Sequence, residues 1–416
     1  MNPVREWTVL VYMNDNNNLC KGAKALLKNQ LAAVEPSDRL SVAVEYSHLR
    51  EPGYHYPPSI THARMALGGG EAETLPYQNM AAPETVEAFL KWGIEKYPAR
   101  HYMVVFQSHG GAWRASMPDE ATRVDERASC IRPDQIATAM RNVERDTGVK
   151  PEVLAFDSCL MSNLEAAYDL RDRAGLFIAS EDIISSTPSE YALDYAVPLK
   201  PIFQRLSDRL NGGEQVSGQT IAADWVEACK SSWTTPTQTA LDLSKIADLA
   251  SAVDGLATAL LDPSIPGSVL REVADRARNF GDKPNPDKWD RMFDYKIFLK
   301  DTKDLAERIS SDARLSSAHD AASKVVEALH AARVAHQAQS RLQIEGRVQY
   351  GGPEFSRTED YDAERTHGLS IYLPDNPDVV KNQIKDGNDY DALSFARDTK
   401  WDDVIRKVVS TAPREA

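Results

Sequence analysis

Residues 102–111 read YMVVFQSHGG, and residues 152–159 read EVLAFDSC. Each begins as a short apolar run rich in β-branched and aromatic side chains, then breaks into small and polar residues. That is how a strand buried on both faces reads. Working outward, TVLVYM (8–13), LSVAVEY (40–46) and LFIAS (176–180) repeat the pattern. The segments between them carry helical spacing. Residues 83–97 open with Pro83-Glu84, set Val86, Phe89, Leu90 and Ile94 on one stripe, and stop at Pro98. Residues 160–172 do the same with Leu160, Leu164, Ala167, Tyr168 and Arg171. This alternation predicts an α/β fold in which a mostly parallel sheet is sandwiched between helices. In such folds functional groups gather beyond the carboxyl ends of the strands.

The 416 residues carry 48 Lys and Arg against 62 Asp and Glu, a formal charge of −14. With no basic block, the chain lacks the face that neutralises phosphates, so nucleic acid is excluded as a partner. No run reaches the ~18 apolar residues of a membrane-spanning helix. The opening, MNPVREWTVLVYM, lacks the pattern of a secretory leader, and the expectation is a cytoplasmic protein. Cys20, Cys130, Cys159 and Cys229 are scattered, with neither the spacing of a zinc site nor that of a disulfide scaffold. No metal site is expected from them.

Two stretches break the rhythm. Residues 108–132 form a long polar connection, and residues 181–198 (EDIISSTPSEYALDYAVP) a second polar loop. Long connections of this kind are functional or mobile. Beyond residue 240 the pattern turns helical over 243–261, 296–311 and 316–338, with later strand-like runs at 341–350 and 368–374. The expected division is therefore a catalytic core over 1–242 and a largely helical extension over 243–416, with added strands, packed on that core. DKPNPDKW (282–289) reads as the linker within the extension.

His109 and Cys159 are 50 residues apart, each just past the carboxyl end of a strand. Neighbouring parallel strands lie about 4.8 Å apart, so both side chains can face one cleft. With a helix expected directly after it, Cys159 would gain thiolate character from the helix amino terminus. His109 would act as general base and then as acid toward a leaving amine. Gly110 and Cys159 would offer backbone N–H groups to an oxyanion. The outline is an acyl-transfer site.

At these residues the sequence resembles the clostripain family of cysteine peptidases, which belongs to the caspase-like clan. WTVLVYMNDNNNL (7–19), VVFQSHGGAW (104–113) and LAFDSCLMSNLEAAYDLR (154–171) carry the resemblance, and IASED (178–182), TALDLSKI (239–246), HGLSIYLP (367–374) and LSFARDTKWDDVI (393–405) extend it. It implies a caspase-like sandwich and an endopeptidase acting on proteins or peptides, with Cys159 as nucleophile and His109 as its partner. It also implies cleavage after Arg or Lys, which calls for paired carboxylates because a guanidinium is read by charge and hydrogen bonds together. Asp157 matches the family's pocket aspartate. For the second acid Glu181, Asp182 and Glu190 are the candidates, Asp182 preferred, because the family's acidic Pro-Gly stretch is replaced here by EDIISSTPSEY.

The resemblance further implies maturation by self-cleavage between His109 and Cys159, with Arg123 the first choice and Arg127 the second. It leaves calcium open as a cofactor. An EF-hand loop counted from Asp15 is excluded, because Cys20 falls where glycine is required. The Asn-rich run 14–18 is thus either a capped turn, the preferred reading, or a device that orients His109. A monomer is favoured. The alternatives are a non-catalytic caspase-like scaffold, a caspase-like protease of other specificity, and a peptide ligase using the same acyl-enzyme.

Overall fold

The computed structural model describes residues 3–35, 37–50, 60–67, 72–124, 127–184, 197–232, 235–281, 298–347, 354–374 and 390–411. Their strands are β1 (Arg5–Asp15), β2 (Leu40–Leu49), β3 (Ile60–Ala66), β4 (Glu73–Thr74), β5 (Ala99–Gln107), β6 (Ser116–Val124), β7 (Arg127–Ile131), β8 (Val153–Asp157), β9 (Leu176–Ala179), β10 (Thr237–Asp242), β11 (Asn279–Phe280), β12 (Leu299–Asp301), β13 (Arg333–Ala338), β14 (Arg341–Arg347), β15 (Glu354–Asp360) and β16 (Ser370–Tyr372). Nine of them make one sheet in the order β13-β10-β9-β8-β5-β1-β2-β3-β4. The five central strands, β2-β1-β5-β8-β9, pair in parallel. Both flanks are antiparallel. The chain runs from β1 to β2 on one side and returns to β5 on the other, so β1/β5 is the switch point, beyond whose carboxyl ends open α/β sheets gather their functional groups.

Strand alternation builds two cores. Leu10, Tyr12, Val104, Phe106, Leu154 and Phe156 face one of them. It is covered by α2 (Pro83–Lys96), α3 (Pro133–Thr147), α4 (Leu164–Leu170), α7 (Ile246–Leu260) and α10 (His319–Ala332). Trp7, Val9, Val11, Met13, Met103, Val105, Val153 and Ala155 face the other, covered by α1 (Cys20–Ala25), α5 (Leu199–Asn211) and α6 (Gly218–Cys229). This is the layered α/β arrangement that the apolar runs predict. α2 starts with Pro83 at its first turn and ends before Pro98, as its caps require.

Within 296–311, read as helix, residues 299–301 form β12 and α9 (Thr302–Ser311) starts only after them; besides this and the Leu160–Asn163 turn described below, three segments differ from the sequence expectation. Residues 333–338, read as the end of a helix, form β13, because the otherwise unpaired edge of β10 offers it a ladder and a bond from Thr239 to His336 Nδ1 at 2.8 Å. Tertiary pairing outweighs the weak helical preference of an Ala-rich run. The connection after His109 is a β6/β7 hairpin with irregular register, not an unstructured loop. Its backbone bonds are met partly by this ladder and partly by the loop after β1, as in Glu120 N to Asn16 O at 2.8 Å. The third is α8 (Gly267–Arg276), absent from the sequence reading. The linker at 282–289 lies outside the described residues.

The main sheet thus takes β13 from beyond residue 242, and α7 and α10 cover the same core as β1, β5 and β8. A fragment of residues 1–242 should therefore fail to fold alone. Circular dichroism melting of that fragment is expected to lack a cooperative transition, whereas the full chain should melt in one.

Candidate active site

In the parallel β5/β8 pair, Met103 stands beside Val153 and Gln107 beside Asp157, an offset of 50 at every step. The spacing of His109 and Cys159 is the same 50, so the two residues leave adjacent strands at one level. Their backbones stay close beyond the strands. Ser108 N donates to Asp157 O at 3.4 Å. A β-carbon at Gly110 would collide with the Cys159 carbonyl oxygen, and would stand 2.9 Å from the Met161 side chain. Only glycine permits this approach.

The loop after β1 holds the histidine strand from the other side. Ser108 Oγ donates to Asn14 O at 2.6 Å, and Asn17 Nδ2 donates to Ser108 Oγ at 3.3 Å and to Pro118 O at 3.1 Å. Asn14 Nδ2 donates to Met117 O at 2.9 Å, and Asn16 Nδ2 to Asp119 Oδ2 at 3.0 Å, tying the hairpin down as well. His109 Nε2 lies 2.6 Å from Asn18 Oδ1. An amide oxygen only accepts, so Nε2 carries a proton, and in the neutral form of the ring the lone pair lies on Nδ1. Of the two readings of the Asn-rich run, the orienting one has the more specific contact.

The amide oxygens of that loop already accept: Asn14 Oδ1 from Asn16 N, Asn16 Oδ1 from Ser47 Oγ, Asn17 Oδ1 from Leu19 N, and Asn18 Oδ1 from His109. Among the described residues no group of three or more His, Cys, Asp or Glu side chains could hold a metal ion.

Cys159 is not at a helix amino terminus. It sits in a turn; Leu160 follows in the left-handed region at φ 62°, and α4 begins only at Leu164, capped by Asn163. Three of the four non-glycine residues with positive φ among the described residues, Ala112, Met117 and Leu160, border this site. Such strain persists where surrounding contacts over-determine the backbone. Here Leu160 N donates to Asp182 O at 3.2 Å and Ser162 N to Ser180 O at 2.8 Å.

The thiol is closed off. Ile184 N donates to Cys159 Sγ at 3.3 Å, and Sγ donates to Ile184 O at 3.6 Å. Although the residue keeps some exposure, burial of the thiol pushes its pKa up to about 12, with the charges of Asp182 and Asp157 adding to the effect. The thiolate is disfavoured in this arrangement.

The acids are placed differently from one another. Asp157 is buried at the end of β8, and burial raises its carboxyl to about 7 against a bond from Val197 N. Glu181 is fully buried; its Oε1 accepts from Gly368 N at 2.7 Å, and the charges acting on it are those of Asp301, Asp182 and Arg278. Asp182 accepts from Tyr361 O–H at 2.9 Å and pairs with Arg278 at 3.7 Å. Both are engaged by the second half of the chain. Glu190 lies outside the described residues. Arg123 and Arg127 flank the β6/β7 tip, paired with Ala128 and Val124 respectively. Asp15, read above only as part of the Asn-rich loop, is buried at the end of β1, and burial raises its carboxyl to about 8; the Gln107 side chain opposes this and the charge of Asp157 adds to it.

With its pKa raised, the Cys159 thiol should ionise only under alkaline conditions. Labelling by iodoacetamide, followed by peptide mapping, is expected to be slow at pH 7 and to accelerate through pH 9 without a plateau. A plateau already reached at neutral pH would mean that the thiolate is stabilised instead.

Comparison with known proteins bears on the family and the fold. The family model described as the Clostripain family matches residues 11–407. The chain is 24% identical to clostripain of Hathewaya histolytica over 145 residues, which cover 32% of this chain and 25% of that protein. Its fold is similar to that of a secreted C11 cysteine protease from Bacteroides thetaiotaomicron solved with an irreversible peptide inhibitor, at a TM-score of 0.63 and 16% identity over 95% of this chain and 99% of the other. It is also similar to an inactive zymogen C11 protease from Parabacteroides distasonis, at 0.60 and 18% identity over 96% and 99%. Among the described residues no helix is long and apolar enough to cross a membrane.

Proposed function

The chain belongs to the clostripain family, and from that premise we propose that it is a cysteine endopeptidase that cleaves after Arg or Lys through an acyl-enzyme at Cys159. The observation that carries this reading is the 50-residue register of β5 and β8, which sets His109 level with Cys159. In the reaction Cys159 Sγ attacks the scissile carbonyl carbon while its proton passes to His109 Nδ1. The oxyanion that forms takes the Gly110 and Cys159 N–H groups. The hairpin bonds next to it use His109 O and Gly111 N, so they leave the Gly110 N–H to this task. The C–N bond then breaks as His109 returns the proton to the leaving amine. Water, deprotonated by the same ring, cleaves the thioester and releases the acid.

The closed thiol supports a latent state. With Ile184 holding Sγ on both its donor and acceptor sides, turnover requires this contact to open, and cleavage in the hairpin at Arg123 or Arg127 is the proposed trigger. One of the similar folds is an inactive zymogen. Asp157 supplies charge for the basic side chain, two residues before the nucleophile.

Wild-type protein incubated with fluorogenic peptides ending in Arg, Lys, Asp or Asn should turn over the first two, and Cys159→Ala none. Fragments cut in the hairpin should appear for wild type only. Turnover only after Asp would keep the mechanism and refute the basic preference; none dependent on Cys159 would leave a non-catalytic scaffold.

Asn18 is a positioning residue in this scheme. Asn18→Ala should lower kcat/KM on the order of tenfold to hundredfold, the usual cost of a misaligned reacting group. Asn18→Asp should move the acid limb of the pH–rate profile upward, because a carboxylate beside the ring favours its protonated form. An unshifted limb would remove Asn18 from the scheme.

A further inference from the structure

Continuing the second core's face of the sheet to its carboxyl edge leads to three polar side chains. Met13 pairs with Gln107 and Gln107 with Asp157, and Met13, Met103, Val105, Val153 and Ala155 all point into that core. By alternation Gln107 and Asp157 share this face, and so does Asp15, two residues beyond Met13. Asp15 is 1% exposed, Gln107 9% and Asp157 6%. Asp15 Oδ1 and Gln107 Oε1 have no hydrogen-bond partner.

Both orphan atoms are acceptors. A buried acceptor without a donor is costly, and two carboxyl groups sharing one apolar edge are costlier still. What completes such a site must bring donors and positive charge and no acceptors. A guanidinium does so, with five N–H donors in a planar fork, and an ammonium does so with three. Of the other acids nearby, Asp182 is held by Tyr361 and Arg278, and Glu181 is tied to the second half of the chain by Gly368 N at one oxygen while its Oε2 has no partner. Cys159, two residues after Asp157, packs against both cores, so a side chain reaching this edge leaves its carbonyl beside the thiol.

We propose that Asp15, at the end of the first strand, is the second carboxylate of the pocket, facing Asp157 across Gln107, and that it sets the preference for a cationic side chain before the scissile bond. This rests on the acyl-transfer reading and its basic preference. Gln107 supplies the neutral acceptor between the two charges. The specificity acid then comes from the strand on the far side of the histidine strand, not from the loop after β9.

The test compares kcat/KM for two fluorogenic peptides that differ only in arginine or citrulline at the cleavage position, in wild type and Asp15→Asn. Citrulline keeps the shape and loses the charge. Wild type should prefer arginine, and in Asp15→Asn the ratio should fall at least about tenfold, the scale of one charge-assisted hydrogen bond. Iodoacetamide labelling of Cys159 should be unchanged, and because burial disfavours the charged carboxylate the amide should keep or raise the melting temperature at pH 8. Should Asp15→Asn not fold, Asp15→Ser carries the same expectation. A wild-type preference that survives both substitutions overturns the role of Asp15 alone. A wild type indifferent to arginine and citrulline overturns the basic preference and this inference with it.

Discussion

The site depends on the parallel ladder between β5 and β8. Hydrogen bonds between these strands fix an offset of 50 residues, and a slip of one residue would turn every side chain of a strand to the wrong core. Register is protected because both faces are buried: Val104, Phe106, Leu154 and Phe156 pack one way, and Met103, Val105, Val153 and Ala155 the other. The apolar burial that stabilises the sheet is therefore also what sets His109 and Cys159 at one level. Gly110 completes the arrangement by letting the two strand extensions touch.

Around this pair the protein trades regular structure for polar ties. The Asn14–Asn18 run binds the histidine strand, the hairpin and His109 itself, so a buried loop satisfies its own backbone rather than leaving it orphaned. The nucleophile turn is pinned by Asp182 and Ser180 carbonyls, and Leu160 is held at positive φ as a result. Closing Ile184 over the thiol adds a brake: a desolvated thiol near two carboxylates is a weak nucleophile. In the proposed latent state, activation changes the surroundings of Cys159 and leaves unchanged the register that places it.

The sequence was most legible where local pattern and global fold agree. The runs at 102–107 and 152–157 are strands because their length, branching and flanking small residues all say so, and their ends mark His109 and Cys159. The turn Leu160–Asn163 was missed because helical spacing continues through it; only the capping Asn163 betrays the true start of α4. Residues 333–338 were misread because the partner that makes them a strand, β10, lies about a hundred residues earlier. The clasp of Ile184 depends on contacts across the fold, and so does the pairing of Asp182 with Tyr361 and Arg278. Asp15 is the clearest case: beside four amide and polar neighbours it reads as a loop acid, and only lateral strand order brings it to the edge shared with Gln107 and Asp157.

The formal charge of −14 is spread over the chain, and the acids of the proposed pocket are the few that are buried at the sheet edge. They are costly to bury, and in the proposed pocket a cationic substrate side chain would offset that cost. The most direct measurement of the central claim is peptide mapping by mass spectrometry after exposure of the hairpin-cleaved protein to an arginyl acyloxymethyl ketone, which alkylates a nucleophile only when a neighbouring base activates it. The account predicts one adduct, on Cys159, greatly diminished in His109→Ala. An adduct on Cys20, Cys130 or Cys229 instead, or equal labelling without His109, would contradict it.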